Sequence, residues 1–456
     1  MLTPDYPVTL TDLYQLTMAA GYHVHNHQQK ATFELYVRRL PAHRSFLIAA
    51  GLEQALTYLE QLHFTPAQLD YLRQLPAFAQ VPETFFSHLA QLRFTGDVWA
   101  PPEGTVIFPH EPLLRITAPL IEAQLVETLL LSLVNYQTLV ASKAARVWLA
   151  CQRGERPVGF TDFGTRRAHG PEAGLLASRA AYIGGAIGTA NAEAGLRYGI
   201  PVFGTAAHAW IMAHDSEAEA FANFQSLFPE HTTLLLDTYD TLEGARQVTR
   251  LPVPPQGVRL DSGDFLTLSH EVRQILDEGG CAQTQIVVSG DMNEHKITEL
   301  LAAGAPIDLF GVGTELVTSL DAPSLGGVYK LVEQRHPDGR CDYKLKLSAS
   351  KAGYPGAKQV YRHYDAHGQL VSDTLALADE APISGAEPLL QAVMVNGQRT
   401  LPQLPLAELR ARTLTQLQSL PLAYQGLEPE LPSPVVVSPR LQELLRTLSV
   451  MPAAPL

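Results

Sequence analysis

From roughly residue 155 to residue 320 the chain repeats one unit: a short apolar run, a cluster of polar and glycine residues, then a stretch with helical periodicity. The apolar runs fall at 158–160, 202–203, 233–236, 258–260, 286–288 and 309–312. Spacers such as DFLTLSHEVRQILDEGG (264–280) and NEHKITELLAAG (293–304) repeat apolar residues at helical spacing and end in glycine, the usual helix stop. A helix between two strands returns the chain across the sheet, so the strands pair in parallel. Six such units leave two architectures, a doubly wound sheet or a closed barrel. The strand ends separate them. Polar residues follow nearly every run, in TDFGTRR (161–167), GTAAH (204–208), DTYDT (237–241), DSGD (261–264), SGDMN (289–293) and GVGTE (311–315). A doubly wound sheet concentrates its chemistry at one switch point, whereas a barrel draws on many strand ends at one face. The pattern favours the barrel.

The flanking regions read differently. TDLYQLTMAAGY (11–22) predicts a short helix that Thr11 or Asp12 can cap. In ATFELYVRRLP (31–41), Phe33, Leu35 and Val37 alternate with Glu34, Tyr36 and Arg38, the period of a half-buried strand. The long apolar run 119–152 is broken by Glu122, Gln124, Glu127 and Asn135, which suits a buried amphipathic helix better than a membrane span. Beyond residue 330 the chain is first basic and strand-rich, then rich in proline and leucine, with a helix near SPRLQELLRTLSV (438–450). A net charge of −13 argues against a nonspecific partner among nucleic acids or anionic membranes, while leaving room for a locally basic pocket that takes a phosphorylated substrate. Cys151, Cys281 and Cys341 lie far apart and form no CxxC pair, which argues against a disulfide framework or a four-cysteine zinc site. The N-terminus lacks a basic flank followed by an apolar core, so a soluble cytoplasmic protein is expected.

Several strand ends carry candidate chemistry. In DLFGVGTELV (308–317), Gly311 and Gly313 let backbone amides converge ahead of a helix start, an arrangement that suits a phosphate; an ordinary tight turn would have the same residues. VRLDSGDF and VVSGDMN each end a strand in Ser-Gly-Asp. Asp261 can accept from ribose hydroxyls or hold Mg²⁺ through water, and Arg259 can meet an anion, whereas plain helix capping would equally explain Asp264 and Asp291. TDFGTRRAHG sets Phe163 beside Arg166 and Arg167, a face and two forks for a flat, negatively charged ring, or else a loop with two solvated arginines. His208 is flanked by alanines after what reads as a buried strand at 200–203. A core histidine and a zinc site shared with His214 are the alternatives, but no carboxylate or cysteine completes a zinc set, and the neighbouring strand ends favour catalysis. His23, His25 and His27 read as solvated residues of a polar loop.

The strings TDLYQLTM, FELYVRRLP, AGLEQAL, DFGTRRAHGPEAG, PVFGTAAHAW, LLDTYDT, GVRLDSGD, FGVGTELVTS and PGAKQVYR occur in this order along nearly the whole chain. In them the chain resembles the nicotinate phosphoribosyltransferase family. The resemblance implies a type II phosphoribosyltransferase fold: an irregular α/β barrel packed against an open α/β sandwich domain, with a C-terminal extension, acting as a homodimer. The corresponding division is a sandwich domain in 1–135, the barrel in 136–330, and a segment in 331–456 that completes the sandwich and adds a helical extension. The implied reaction joins nicotinate to phosphoribosyl pyrophosphate, giving nicotinate mononucleotide and pyrophosphate. It is coupled to ATP hydrolysis, depends on Mg²⁺ carried by substrate phosphates, and is the first step of NAD salvage from nicotinate. By the same resemblance His208 takes the γ-phosphate of ATP, although the family often has serine where this chain has Ala209. Asp261 holds ribose hydroxyls, and Arg259 a phosphate or the base. Ser289, Gly290 and Asp291 approach the ribose, and Gly311, Gly313 and Thr314 the 5′-phosphate. Phe163 stacks on the pyridine ring, Tyr14 covers its other face from the neighbouring subunit, and Arg166 is favoured over Arg167 as carboxylate partner. Asn191 stands near the position where the related nicotinamide enzyme has an aspartate, and it would not repel a carboxylate. Lys344, Lys346 and Lys358 are candidates for pyrophosphate or ATP, or else a solvated basic strand. The competing readings are nicotinamide or quinolinate as substrate, a non-catalytic binding protein of the same fold, and a metal-dependent hydrolase using His208 and His214.

Overall fold

A computed structural model describes residues 6–27, 29–346, 353–428 and 431–450. It is a mixed α/β structure whose contacts divide it into two compact units. One combines Met1–Leu139 with Ser324–Leu456, and the other is Val140–Pro323. The division falls inside the helix Glu127–Cys151.

The discontinuous unit is built on antiparallel pairing between distant parts of the chain. Its seven-stranded sheet runs Cys341–Tyr343, Gly327–Arg335, Lys30–Val37, Pro112–Pro119, Asp97–Ala100, Gln391–Val395 and Gln398–Arg399. The strand Lys30–Val37 differs from the half-buried strand that its alternation predicts, because every residue from Ala31 to Val37 is buried. Its polar members are paired inside. Glu34 accepts from the Lys358 amide at 2.8 Å and meets the Lys358 Nζ at 2.7 Å, so Lys358 is committed to this core rather than free for a phosphate. A second sheet runs Glu387–Pro388, Lys358–Tyr364, Leu370–Leu377 and Val435–Val437. Leu441, from the helix Pro439–Val450, is fully buried against Val360, Leu375 and Leu389 of this layer. Asp12 occupies the cap position of the helix Leu13–Val24, but its carboxylate accepts from Thr128 Oγ1 at 2.9 Å instead of from the helix amides.

The continuous unit holds a parallel five-stranded sheet in the order Gly159–Asp162, Leu309–Val312, Gln285–Val288, Gly257–Leu260, Thr233–Leu235. Phe160, Val258, Leu260, Ile286, Val288, Phe310 and Val312 are wholly buried, as expected of parallel strands covered on both faces. The sixth expected strand is reduced to single bridges, Asp162 to Thr189 and Thr189 to Val202. Val202 and Phe203 are 51% and 41% exposed rather than buried. Pro201 offers no amide to a ladder, and only two apolar residues follow it. Among the described residues no pairing joins Val202 to Thr233–Leu235, so the hydrogen-bonded pattern is an open parallel sheet extended by two bridges. The run 119–152 forms two helices, Leu120–Leu125 and Glu127–Cys151, and no helix among the described residues is long and apolar enough to cross a membrane.

Candidate active site

The carboxyl ends of the parallel strands gather most of the candidate residues. Arg259 lies in the strand Gly257–Leu260 between two buried side chains and reaches the strand end with its guanidinium. Nη1 donates to Thr205 Oγ1, and Nη2 stands 3.6 Å from Asp261 Oδ1. Nε is buried with no hydrogen-bond partner among the described residues. Burial lowers the Arg259 pKa, Asp261 and Asp237 oppose that shift, and the nearby Arg166 adds to it. The guanidinium is thus a cation short of acceptors, able to bind an anion.

Asp261 is held from two sides. Its amide donates to Asp237 Oδ2 at 3.2 Å, and Ser289 Oγ donates to its Oδ1. Ser262 Oγ donates to the same Asp237 oxygen at 2.5 Å, while Asp237 Oδ1 is buried without a partner among the described residues. Gly290 makes this closeness possible. With φ at +99°, a Cβ there would lie 2.2 Å from the Asp261 carbonyl oxygen, so a side chain would force the two loops apart. Asp291 is exposed and left-handed, at φ 47°. The following helix, Glu294–Ala302, is capped by Asn293 and not by Asp291, whereas Asp264 does cap the helix Phe265–Glu278.

His208 begins the short helix His208–Met212. Its Nδ1 shares a 3.1 Å hydrogen bond with Thr238 Oγ1, and Nε2 faces Asp261 Oδ2 at 3.9 Å. The ring is 41% exposed, so it is a tethered but open imidazole and not a core histidine. His214 is engaged elsewhere, bonded through Nδ1 to the Trp210 carbonyl at 2.7 Å and packed on the indole. Among the described residues no group of three or more His, Cys, Asp or Glu could hold a metal ion.

A second cluster surrounds Phe163. A Cβ on Gly311 would fall 2.5 Å from the Phe163 ring, so the glycine lets the phenyl lie on the strand. The buried Asp162 anchors both flanks of this corner. Its carboxylate accepts from the Gly164 amide, Ser178 Oγ and Thr189 Oγ1, each at 2.8 Å, and Thr189 Oγ1 accepts from the Asn191 amide at 3.1 Å. Both ends of the Asn191 side chain are engaged: Oδ1 caps the helix Ala192–Tyr198, and Nδ2 donates to Thr165 Oγ1 at 3.0 Å. That second bond ties Asn191 to the turn Thr165–Arg167, where Arg166 and Arg167 are exposed. Gly313 precedes the helix Thr314–Thr318 and accepts from the amides of Leu316 and Val317, leaving Thr314 partly exposed.

Matches to known proteins follow the same layout. Residues 9–135 match the family model for the nicotinate phosphoribosyltransferase N-terminal domain, and residues 158–333 match the nicotinate phosphoribosyltransferase family. The chain belongs to the nicotinate phosphoribosyltransferase family. It is 45% identical over 439 residues to a nicotinate phosphoribosyltransferase of Mycobacterium tuberculosis, covering 94% of this chain and 91% of that one. It is also 43% identical over 384 residues to the Bacillus subtilis nicotinate phosphoribosyltransferase, covering 81% and 76%. The crystal structure of human nicotinic acid phosphoribosyltransferase superposes with a TM-score of 0.84 at 30% identity, over 96% of this chain and 99% of that one. A nicotinate-nucleotide pyrophosphorylase from Pyrococcus furiosus gives a TM-score of 0.73 at 26% identity, over 90% and 95%. The chain is thus an enzyme of this family.

Two groups of residues lie outside the strand-end cluster. Tyr14 belongs to the discontinuous unit, 48% exposed on the helix Leu13–Val24. Lys344 and Lys346 line a small cleft of that same unit together with Arg38 and Lys330. Sequence reasoning did not single out Asp237, Thr238, Thr205 or Asp162, which hold the candidate residues in place. The strand ends DTYDT, GTAAH and TDFGTRR carried a signal for all four.

Proposed function

We propose that the enzyme joins nicotinate to phosphoribosyl pyrophosphate and couples this to ATP hydrolysis through a phosphohistidine at His208. The observation that carries the reading is the open His208 ring beside Asp261 and Arg259. In the tautomer that carries its proton on Nδ1 and donates it to Thr238 Oγ1, Nε2 keeps its lone pair and faces Asp261 in the strand-end cluster. In-line attack of Nε2 on the γ-phosphorus forms the N–P bond as ADP departs with the electrons of the broken P–O bond. The phosphoryl group then passes to water, and this hydrolysis is coupled to mononucleotide synthesis.

In the transfer itself the pyridine nitrogen attacks C1′ of the ribose as pyrophosphate leaves, and positive charge builds on the ring carbon and oxygen. The side chains contribute position and charge. Asp261, fixed by Ser289, takes the ribose hydroxyls, and the under-paired Arg259 faces a phosphate or the base carboxylate. Gly311, Gly313 and Thr314 receive the 5′-phosphate, and Gly290 and Asp291 line the ribose. Phe163 stacks on the pyridine ring, and Arg166, rather than Arg167, pairs with its carboxylate. Asn191 acts on that carboxylate through the turn it holds. Tyr14 of a neighbouring subunit covers the open face of the ring, in a homodimer. Mg²⁺ arrives on the substrate phosphates. When bound there it neutralises the leaving pyrophosphate. The reaction is the entry of nicotinate into NAD salvage, in the cytoplasm.

The test is to label the protein with ATP carrying a radioactive γ-phosphate. Acid-labile, base-stable label is expected on the wild type and none on His208→Ala. Label that persists in the variant would remove His208 from the phosphoryl step.

A further inference from the structure

We infer that Lys143, Arg146 and Glu294 form a buried ionic hub that positions the two loops receiving the phosphoribosyl group. They would be positioning residues for the transfer, not catalytic ones. The inference rests on the reading of 289–291 and 311–314 as the phosphoribosyl loops.

The helix Glu127–Cys151 supplies both cations, three residues apart and therefore on one face. Lys143 Nζ lies 2.7 Å from Glu294 Oε2, 2.9 Å from Asp321 Oδ1 and 3.6 Å from Glu315 Oε2. Arg146 Nε donates to Glu294 Oε1 at 2.9 Å. Glu294 is the first residue of the helix that follows Ser289-Gly290-Asp291, and Glu315 is the second residue of the helix Thr314–Thr318. Each loop thus sends one carboxylate to the same lysine. Asn293 Nδ2 adds a direct link to Glu315 Oε1 at 3.4 Å.

Lys143 and Glu294 are almost fully removed from solvent, with side-chain exposures of 1% and 0%. Such burial is a poor route to stability, since apolar replacements of buried ion pairs are often neutral or stabilising. What the hub supplies is a fixed distance between two loops. Both need an external constraint. Gly290 and Asp291 are left-handed at φ 99° and 47°, and Ser319, which ends the Thr314–Thr318 helix, is left-handed at 43°. Non-glycine residues persist in that region only where their surroundings over-determine it. Burial by itself raises the Glu294 pKa, but Lys143 and Arg146 outweigh it and hold the carboxyl below its ordinary range. Glu294 therefore remains a carboxylate at neutral pH.

The test uses the full chain and steady-state kinetics with both substrates varied, alongside thermal melting. Lys143→Met and Glu294→Gln should each raise KM for phosphoribosyl pyrophosphate about tenfold, the scale of a small misplacement, while KM for nicotinate stays within about twofold. The double variant should be no worse than the poorer single one, because the residues act as a unit. Glu315→Gln, at a partly exposed position, keeps the question answerable if the buried variants do not fold. It should raise the same KM about threefold. Lowered melting temperature with both KM values unchanged would make the hub merely structural and overturn the proposal, as would equal rises in both KM values. A wild type that forms no mononucleotide would overturn the phosphoribosyl reading of the loops, and the proposal with it.

Discussion

Two buried arginines show how the two units use charge. Arg362, in the antiparallel unit, has every nitrogen engaged. Nε and Nη2 form a fork on the Asp373 carboxylate at 2.9 and 2.6 Å, Nη1 reaches Gln416 at 3.1 Å, and Nη2 also reaches the Val106 carbonyl at 2.8 Å. Burial alone would lower its pKa, but Asp373 more than reverses that. Arg259, at the parallel strand end, has one short bond to a threonine, one carboxylate at 3.6 Å, and a buried Nε without a partner among the described residues. A fully matched charge in a core closes a structure. A half-matched one at a strand end retains capacity for a ligand, because a bound anion would complete what the fold leaves incomplete.

This contrast can be broken by substitution. Arg362→Ala leaves Asp373 buried and uncompensated, and should cost about 3–5 kcal/mol of stability, with kcat/KM per folded molecule unchanged. Denaturant melts paired with active-site titration would check it. Arg259→Ala should do the reverse, lowering kcat/KM by about 10²–10³-fold with little change in melting temperature. If Arg259→Ala instead destabilises the protein as much as Arg362→Ala, the distinction fails.

Glu217 sharpens the comparison, since it is buried and unmatched without lying in the strand-end cluster. Its Oε1 has no partner among the described residues, and burial, then Asp240 and Glu243, raise its pKa to about 7. A carboxyl whose folded pKa exceeds its unfolded value holds its proton in the native state while the unfolded chain ionises. Stability should therefore fall as pH rises from about 4.5 to about 7, then level off. Glu217→Gln should remove this slope, stabilising the protein by up to about 3 kcal/mol at pH 8 and not at pH 4, with activity unchanged. Loss of activity in this variant would place Glu217 in the chemistry.

The strand ends were readable because their signal is local. Glycine, serine and aspartate after an apolar run announce a turn whatever the rest of the chain does, and Gly290 and Asp261 sit where that signal put them. What was not readable depends on partners far away in sequence. Lys358 belongs to a basic-looking strand, yet Glu34, 324 residues earlier, takes it into the core. Arg146 and Glu294 are 148 residues apart, and neither carries a local mark of the ion pair. Asp12 reads as a helix cap until Thr128 competes for its carboxylate. The strand at 202–203 failed for a local reason that was visible, since Pro201 offers no amide to the ladder.

The most direct test of the account is mononucleotide formation from nicotinate, phosphoribosyl pyrophosphate and Mg²⁺, followed with and without ATP, for the wild type and His208→Ala. ATP should greatly increase the rate or final yield for the wild type, and the variant should form product at a low level that ATP does not change. Equal stimulation of both proteins by ATP would contradict the role of His208. No product from nicotinate, with product from nicotinamide or quinolinate in the same assay, would contradict the substrate.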